Sequence, residues 1–504
     1  MNISSILEQS ASIFPDRPAV NEGGAALSYS QLDRLAARIA SGLASLGLRP
    51  GDPVAICAPN SARWIAFYFG AIRTGAAVIT LPGLLQGSEL RQLIEESKPR
   101  FIFAAPEKLN PLESLRRPGI LEEIICDGGD IEFGSLSEMG PGSFKAVERD
   151  RDDTCAILFT GGTTGIPKGA MLSHENVSTA IRNVVFYERS NEMDRALCFL
   201  PLHHVFGQMH IMNATLLSGG CIELMPSFDL DRILDAMSAG RITKLFAVPT
   251  VYVRLLAQKN LNQMLGAVRY CFSAAASMAS ELVRQWKDRT GLAIHEAYGM
   301  TESASMVTYN HYHRHVIGSV GTPAGTVEVQ IRDMEGHVLE ANQTGEICIR
   351  GRNVMKGYLN RPEETRAAFW DNWFRSGDIG RIDSNGYLFI ADRLKDMIIT
   401  GGENVYPREV EEQLYRRPEV QECTVIGLPD PEWGERVAAF IVPAQGRAIN
   451  PAELRDYLRS HLSSFKVPKE FRVVEALPKS AAGKIMKREL RSQFLARTGK
   501  GAKR

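Results

Sequence analysis

Apolar residues along the first four-fifths of the chain recur in two alternating patterns. Leu32, Leu35, Ala36, Ile39, Leu43 and Leu46 follow one another at helical spacing until Gly47 interrupts them. Ser30, with Asp33 three residues on, predicts a capping box at the start of that helix. Asp52-Pro53 leads into Val54-Ala55-Ile56-Cys57, a short apolar run that reads as a buried strand. A second helix is predicted over Ala62–Arg73, stopping at Gly75, and Ala77-Val78-Ile79 supplies the next strand. Repetition of this unit predicts an α/β fold in which helices cover largely buried sheets.

The pattern changes near Ile390-Ala391-Asp392-Arg393-Leu394-Lys395-Asp396. Beyond it the sequence predicts a helix from Pro407, a strand at Cys423-Thr424-Val425-Ile426, a helix from Pro451 and a basic final stretch. The expected division is a large N-terminal domain of layered α/β subdomains, residues 1–392, and a small mobile α+β domain, residues 393–504. No Gly/Ser tract lies between them, so a short hinge is expected rather than a loose tether.

Composition narrows the function classes. A chain of 504 residues is too long for one core. Lysine plus arginine and aspartate plus glutamate are 58 each, so no overall charge draws the chain to nucleic acid or anionic lipid. No apolar run approaches the ~20 residues that span a bilayer. The N-terminal stretch lacks a basic start followed by an apolar segment, which argues against a secretory signal. The eight cysteines form no CxxC pair and read as buried reduced thiols, as expected of a cytoplasmic protein.

The stretch Ile157-Leu158-Phe159-Thr160-Gly161-Gly162-Thr163-Thr164-Gly165-Ile166-Pro167-Lys168-Gly169 carries the clearest chemistry. Glycines let backbone N–H groups approach phosphate oxygens, hydroxyls add donors and lysine adds charge. The order Lys168-Gly169 differs from the Gly-Lys-Ser/Thr of a Walker A loop. The loop resembles the phosphate-binding motif of the AMP-forming adenylate synthetases: acyl-CoA synthetases, peptide-synthetase adenylation domains and firefly-type luciferases. Further motifs of that superfamily follow in order: Pro201-Leu202-His203-His204-Val205-Phe206-Gly207, Tyr298-Gly299-Met300-Thr301-Glu302, Trp373-Phe374-Arg375-Ser376-Gly377-Asp378, Asp392-Arg393-Leu394-Lys395-Asp396, and Pro478-Lys479-Ser480-Ala481-Ala482-Gly483-Lys484. The resemblance covers essentially the whole chain.

The resemblance implies a carboxylic acid activated by ATP to acyl-AMP, then transferred to CoA. It places Thr160, Gly161, Gly162, Thr163, Thr164, Gly165 and Lys168 on the ATP phosphates, Thr301 on the α-phosphate and Glu302 on Mg²⁺. Tyr298 would stack on adenine, with Ala275 in the adenine-side loop, and Asp378 and Arg393 would hold the ribose. Lys484 would bridge the carboxylate and the α-phosphate, with His204 beside that carboxylate. Lys395 would be the hinge, and Gly401 and Gly402 would let the pantetheine arm of CoA pass. From the residues alone, Lys484 lies among small neighbours and is expected on an exposed loop.

Acid choice is less marked. Val251, Tyr252, Ser273, Ala274, Ala275, Tyr298, Gly299, Met306 and Val307 are expected pocket walls, small or apolar, and suit a medium- or long-chain fatty acid. The loop Ser273-Ala274-Ala275-Ala276-Ser277 carries Ala274 and Ser277 where relatives commonly have Gly and Pro, which narrows the acyl path. Alternatives are an aryl-CoA ligase, a ligase loading a carrier-protein phosphopantetheine, and, more remotely, a luciferase-like oxygenase. Beyond small molecules, a carrier protein and a second copy of the chain are the partners considered. His311, His313 and His315 alternate at strand spacing and are read as a loop outside the chemistry.

Overall fold

In the computed structural model, residues 1–160, 167–480 and 483–499 are described. The first predicted helix spans Tyr29–Ser45, and its cap lies two residues earlier than expected. Ser28 Oγ accepts the Gln31 N–H, and Gln31 Oε1 accepts the Ser28 N–H at 2.8 Å. Asp33 is drawn off instead by the buried Arg73, which also reaches Glu8 at 3.3 Å. A carboxylate facing a buried guanidinium gains more than one capping a helix in water, which is why the spacing misled. The helix Ala62–Arg73 and the strands Pro53–Cys57 and Ala77–Thr80 form as expected.

Two seven-stranded sheets build the large domain. One runs Ile294–Glu296, Tyr270–Ser273, Lys244–Ala247, Arg195–Cys198, Cys221–Leu224, Pro18–Glu22, Ala25–Ser28, all parallel except the last edge strand. The other runs Gly357–Tyr358, Lys168–Ser173, Thr154–Thr160, Ala77–Thr80, Pro53–Cys57, Phe101–Ala104, Glu123–Ile125. In that second sheet Thr154–Thr160 and Lys168–Ser173 pair antiparallel, with Thr160 opposite Lys168. The described segment that follows the phosphate-type run is therefore a strand antiparallel to the one before it. A third, antiparallel sheet holds Val327–Arg332, Gly345–Gly351, Trp373–Ile382, Phe369–Trp370 and Leu388–Arg393.

The last sheet, with Ile398–Thr400, Glu403–Val405, Val420–Asp430, Gly434–Pro443 and Glu470–Val473, has its own core. Val410, Leu414, Val425, Ile441, Leu454 and Leu458 fill it, separate from the large apolar core. The helices Pro407–Leu414 and Pro451–Arg459 begin where proline at the first turn predicts. This is a mixed α/β protein with a large N-terminal and a smaller C-terminal domain. Among the described residues no helix is long and apolar enough to cross a membrane.

Candidate active site

Strand register brings together residues expected at the nucleotide. Asp378 and Arg393 lie directly opposite on the neighbouring strands Trp373–Ile382 and Leu388–Arg393, with Asp378 Oδ1 3.2 Å from Arg393 Nε. The Tyr298 hydroxyl donates to Asp378 Oδ2 at 2.7 Å, and burial pushes that phenol well above its usual range. Three chain segments thus meet at one carboxylate that retains spare acceptor sites. Tyr298 leads into Gly299, whose backbone is pressed on the next strand: a Cβ there would fall 1.6 Å from Ser305 O. Beyond it Ala304 and Ser305 take φ values of 52° and 112°, strain that concentrates at functional sites. Ala275 takes a φ of 68° in its loop.

Thr301 and Glu302 occupy the short 3₁₀ turn Thr301–Ser303. The Tyr358 hydroxyl donates to Glu302 Oε1 at 2.9 Å, and the Met355 N–H bonds Glu302 O at 2.7 Å. Burial raises the Glu302 carboxyl above its usual range; the Tyr358 bond and Arg393 offset only part of this. Lys168 Nζ sits 2.6 Å from Glu364 and 5.1 Å from the Tyr358 ring centre. Thr160 Oγ1 donates to Lys168 O at 3.4 Å, closing the base of the loop. Gly161, Gly162, Thr163, Thr164 and Gly165 lie outside the described residues.

Lys484 differs from its expected exposure: it is half-buried against the large domain. Its loop docks there because Thr250 Oγ1 donates to Gly483 O at 3.4 Å and Gly483, at φ 79°, approaches Val248 closely. A Cβ on Gly483 would come within 2.8 Å of the Val248 side chain, so glycine permits the contact. Burial, and then the charges of Arg393 and Lys395, bring the Lys484 ammonium down to about 8. Small neighbours misled here because the surface that covers the lysine belongs to another domain.

His204 faces this lysine. Burial, and then the Lys484 charge, push its imidazole down to about 4, so it is neutral at ordinary pH. His204 Nδ1 accepts the Phe206 N–H at 3.2 Å at the entry to the π-helical turn Phe206–Asn213. Beyond lies an aromatic box: Phe206 and Phe272 centroids are 5.7 Å apart, His210 and Phe272 4.4 Å, and Phe246 and Phe272 5.9 Å.

Other expected residues lie elsewhere. Gly401 and Gly402 form the turn between Ile398–Thr400 and Glu403–Val405, with Gly401 packed against Trp433. Lys395 is exposed in the 3₁₀ turn Leu394–Asp396. Tyr252 is in the core rather than on a pocket wall: its hydroxyl donates to Leu245 O and Phe272 O, and its ring meets Trp286 edge-on at 4.9 Å. His311 bonds Thr322 and His315 bonds Ile294 O, so the histidine run is divided among separate partners. Sequence reasoning missed Tyr358, Glu364, Glu188, His210 and Ser305. The pairing of a tyrosine with a glutamate 56 positions away leaves no local signal.

Lys484, Arg393 and Lys395 thus lie near one another with Asp378 and Asp396, and Glu302 is close enough to Arg393 to be affected by its charge, a cluster of shifted ionisable groups that marks a candidate functional site. The AMP-binding enzyme pattern matches residues 7–359, and the AMP-binding enzyme C-terminal domain pattern matches 409–484. The chain belongs to the AMP-binding enzyme family. A feruloyl-CoA synthase of Amycolatopsis sp. is 37% identical over 489 residues, 96% of this chain and 97% of that protein. The Bacillus subtilis long-chain-fatty-acid–CoA ligase is 32% identical, covering 97% and 94%. ATP-bound MatB from Rhodopseudomonas palustris is 34% identical, covers 98% of this chain and 99% of its own, and superposes with a TM-score of 0.92. Apo MatB, at the same identity and coverage, reaches 0.82. The arrangement described here is therefore nearer the ATP-bound form than the apo form. The chain is an AMP-forming acid–CoA ligase that uses ATP and CoA.

Proposed function

We propose that the acid is a compact aromatic carboxylic acid, activated to acyl-AMP with release of pyrophosphate and then transferred to CoA. The observation that carries this reading is the aromatic box. Phe206 follows His204 by two residues, and Phe206, His210, Phe246 and Phe272 are all buried and in ring contact with one another. A long hydrocarbon chain would have to displace them, whereas a flat ring stacks on them at little cost. The medium- or long-chain fatty acid expected from the sequence is the alternative, and the Bacillus subtilis relative is named for such an acid. The aromatic class agrees with the acid named for the Amycolatopsis relative.

In this reading the carboxylate oxygen attacks the α-phosphorus of ATP, forming the acyl–phosphate bond as the bond to pyrophosphate breaks. Lys484 and Thr301 meet the charge that develops, and Lys168 with the 161–165 loop holds the leaving phosphates. Asp378 accepts the ribose hydroxyls beside Arg393, and Tyr298 and the loop at Ala275 bound the adenine. Neutral His204 lies beside the carboxylate without competing for it as a cation. Glu302, raised by burial and short of a cation, fits Mg²⁺, which would neutralise phosphate charge when bound with ATP. The CoA sulfur then attacks the acyl carbon and AMP leaves. Residues 393–504 would turn about Lys395 between the steps and bring Gly401 and Gly402 to the thiol path.

Pyrophosphate release across cinnamate, benzoate, decanoate and malonate, with and without CoA, tests this. A cinnamate-type acid is expected to exceed decanoate and malonate by about tenfold or more in kcat/KM. Preference for decanoate or malonate overturns the aromatic reading, and full release without thioester formation overturns CoA as the acceptor.

A further inference from the structure

We propose that Glu412 of the C-terminal domain is a positioning residue for adenylation: it caps a helix of the large domain and so holds Lys484 at the site. The inference rests on the reading that residues 393–504 turn between the two steps, and it names a contact that must break when they do.

The helix Pro407–Leu414 has two faces. Val410 and Leu414 are buried in the core of the small domain, so the helix moves with that domain. Arg408 and Glu412, one helical turn apart, lie on the opposite face, yet their side chains are only 11% and 21% exposed. What covers them belongs to the large domain. Near the hinge, Arg408 Nη1 donates to Ile390 O at 2.8 Å and the Arg408 N–H to Asp392 Oδ2 at 2.9 Å. Farther out, the Glu412 carboxylate accepts the Ser280 N–H through both oxygens, at 3.1 and 3.3 Å, across 132 positions of sequence. The buried Glu296, on the strand Ile294–Glu296, feels both charges: burial brings its carboxyl up to about 8, with Arg408 opposing and Glu412 adding to the shift.

Ser280 is the first residue of the helix Ser280–Thr290, whose N-cap, Ala279, has no side chain that can accept a bond. The first N–H groups of a helix lack partners within it and form the positive end of its dipole. Glu412 serves there as a capping carboxylate does, except that it comes from another domain. In the same pose Thr250 Oγ1 donates to Gly483 O at 3.4 Å, next to Lys484. That bond joins two neutral groups, whereas the Glu412 bond is charge-assisted and the stronger of the two ties. A turn of the small domain withdraws the carboxylate and leaves the Ser280 donor open. The cap therefore favours the pose in which Lys484 is docked.

The bond can be removed from either side. Glu412→Ala deletes the acceptor. Ser280→Pro deletes the donor: proline is favoured at the first helical position, and Ala279, at φ −66° and ψ 132°, already has the conformation that precedes proline. Spin labels at Phe186→Cys and Val473→Cys, exposed positions on the large and small domains, read the domain separation in the full chain with AMP and CoA. The native protein is expected to show two distance populations. Each variant should move their ratio away from the docked pose by about 2- to 30-fold, the usual worth of a cap. The double variant should move it no further than the stronger single variant, because both act on one bond. Pyrophosphate release with the preferred acid should fall in step, while thioester formation from purified acyl-AMP and CoA should not. A ratio unchanged in both variants, additive shifts, or equal loss of the two half-reactions overturns the cap alone. A single distance in the native protein under every condition overturns the turn, and the cap with it.

Discussion

Two glutamates, the half-buried Glu302 and the buried Glu188, are shifted in opposite directions by their surroundings. Glu302, beside the nucleotide cluster, has its carboxyl raised because burial outweighs the help of Tyr358 and Arg393. Glu188, behind the aromatic box, has its carboxyl lowered because Lys244 and His210 outweigh burial. Lys484 is brought down toward neutrality, whereas Lys244 is enclosed by Glu188, Asp194 and Ser190. One cluster is unbalanced and awaits charge from its ligands. The other is closed on itself. Imbalance, rather than burial or charge alone, marks where the chemistry occurs.

Removing a partner from the balanced cluster should cost stability. Glu188→Ala leaves the Lys244 ammonium with fewer anions and the His210 Nε2–H without an acceptor, at about 3–5 kcal/mol. Denaturant unfolding of the large domain measures this. Glu302→Gln should leave unfolding nearly unchanged while reducing pyrophosphate release, since its carboxyl is already strained by burial. Equal destabilisation by the two would erase the distinction between the clusters.

Lys484→Ala should reduce adenylation by about 10²–10³-fold, the usual cost of one preorganised donor. Thioester formation from purified acyl-AMP and CoA should be largely spared if Lys484 serves only the first step. Parallel loss of both steps would mean that the lysine acts throughout.

The smallest effect is a pH limb. Lys484 works as the cation, and in the free enzyme it deprotonates near pH 8, so adenylation kcat/KM should fall about tenfold per unit above that pH. Bound ATP and carboxylate favour the charged form, so the limb in kcat should move to higher pH. Lys484→Arg, which cannot deprotonate there, should abolish the limb. A limb that survives this change belongs to another group.

Much of the fold and of the nucleotide site was legible because its signals are local. The helix Ala62–Arg73 needs only its own apolar spacing, and the run at 157–169 is read as a phosphate loop through the further motifs that follow it in order. Asp378 and Arg393 are fifteen positions apart but lie on strands joined by a single turn, so one short segment brings them together. The cap at Ser28 was misplaced by two residues because Asp33 had a stronger partner in Arg73, and nothing near Asp33 in the chain announces that arginine.

By itself the sequence determined the α/β layering, the separate C-terminal unit and the class of reaction, since each depends on short-range spacing or on contiguous motifs. Only the tertiary structure decided how Lys484 is half-buried, how Glu302 meets Tyr358 and how Glu188, His210, Lys244 and Ser305 join. Those side chains are common residue types in ordinary positions. Their ionisation depends on which charges fold beside them, through a low-dielectric interior that no linear spacing records.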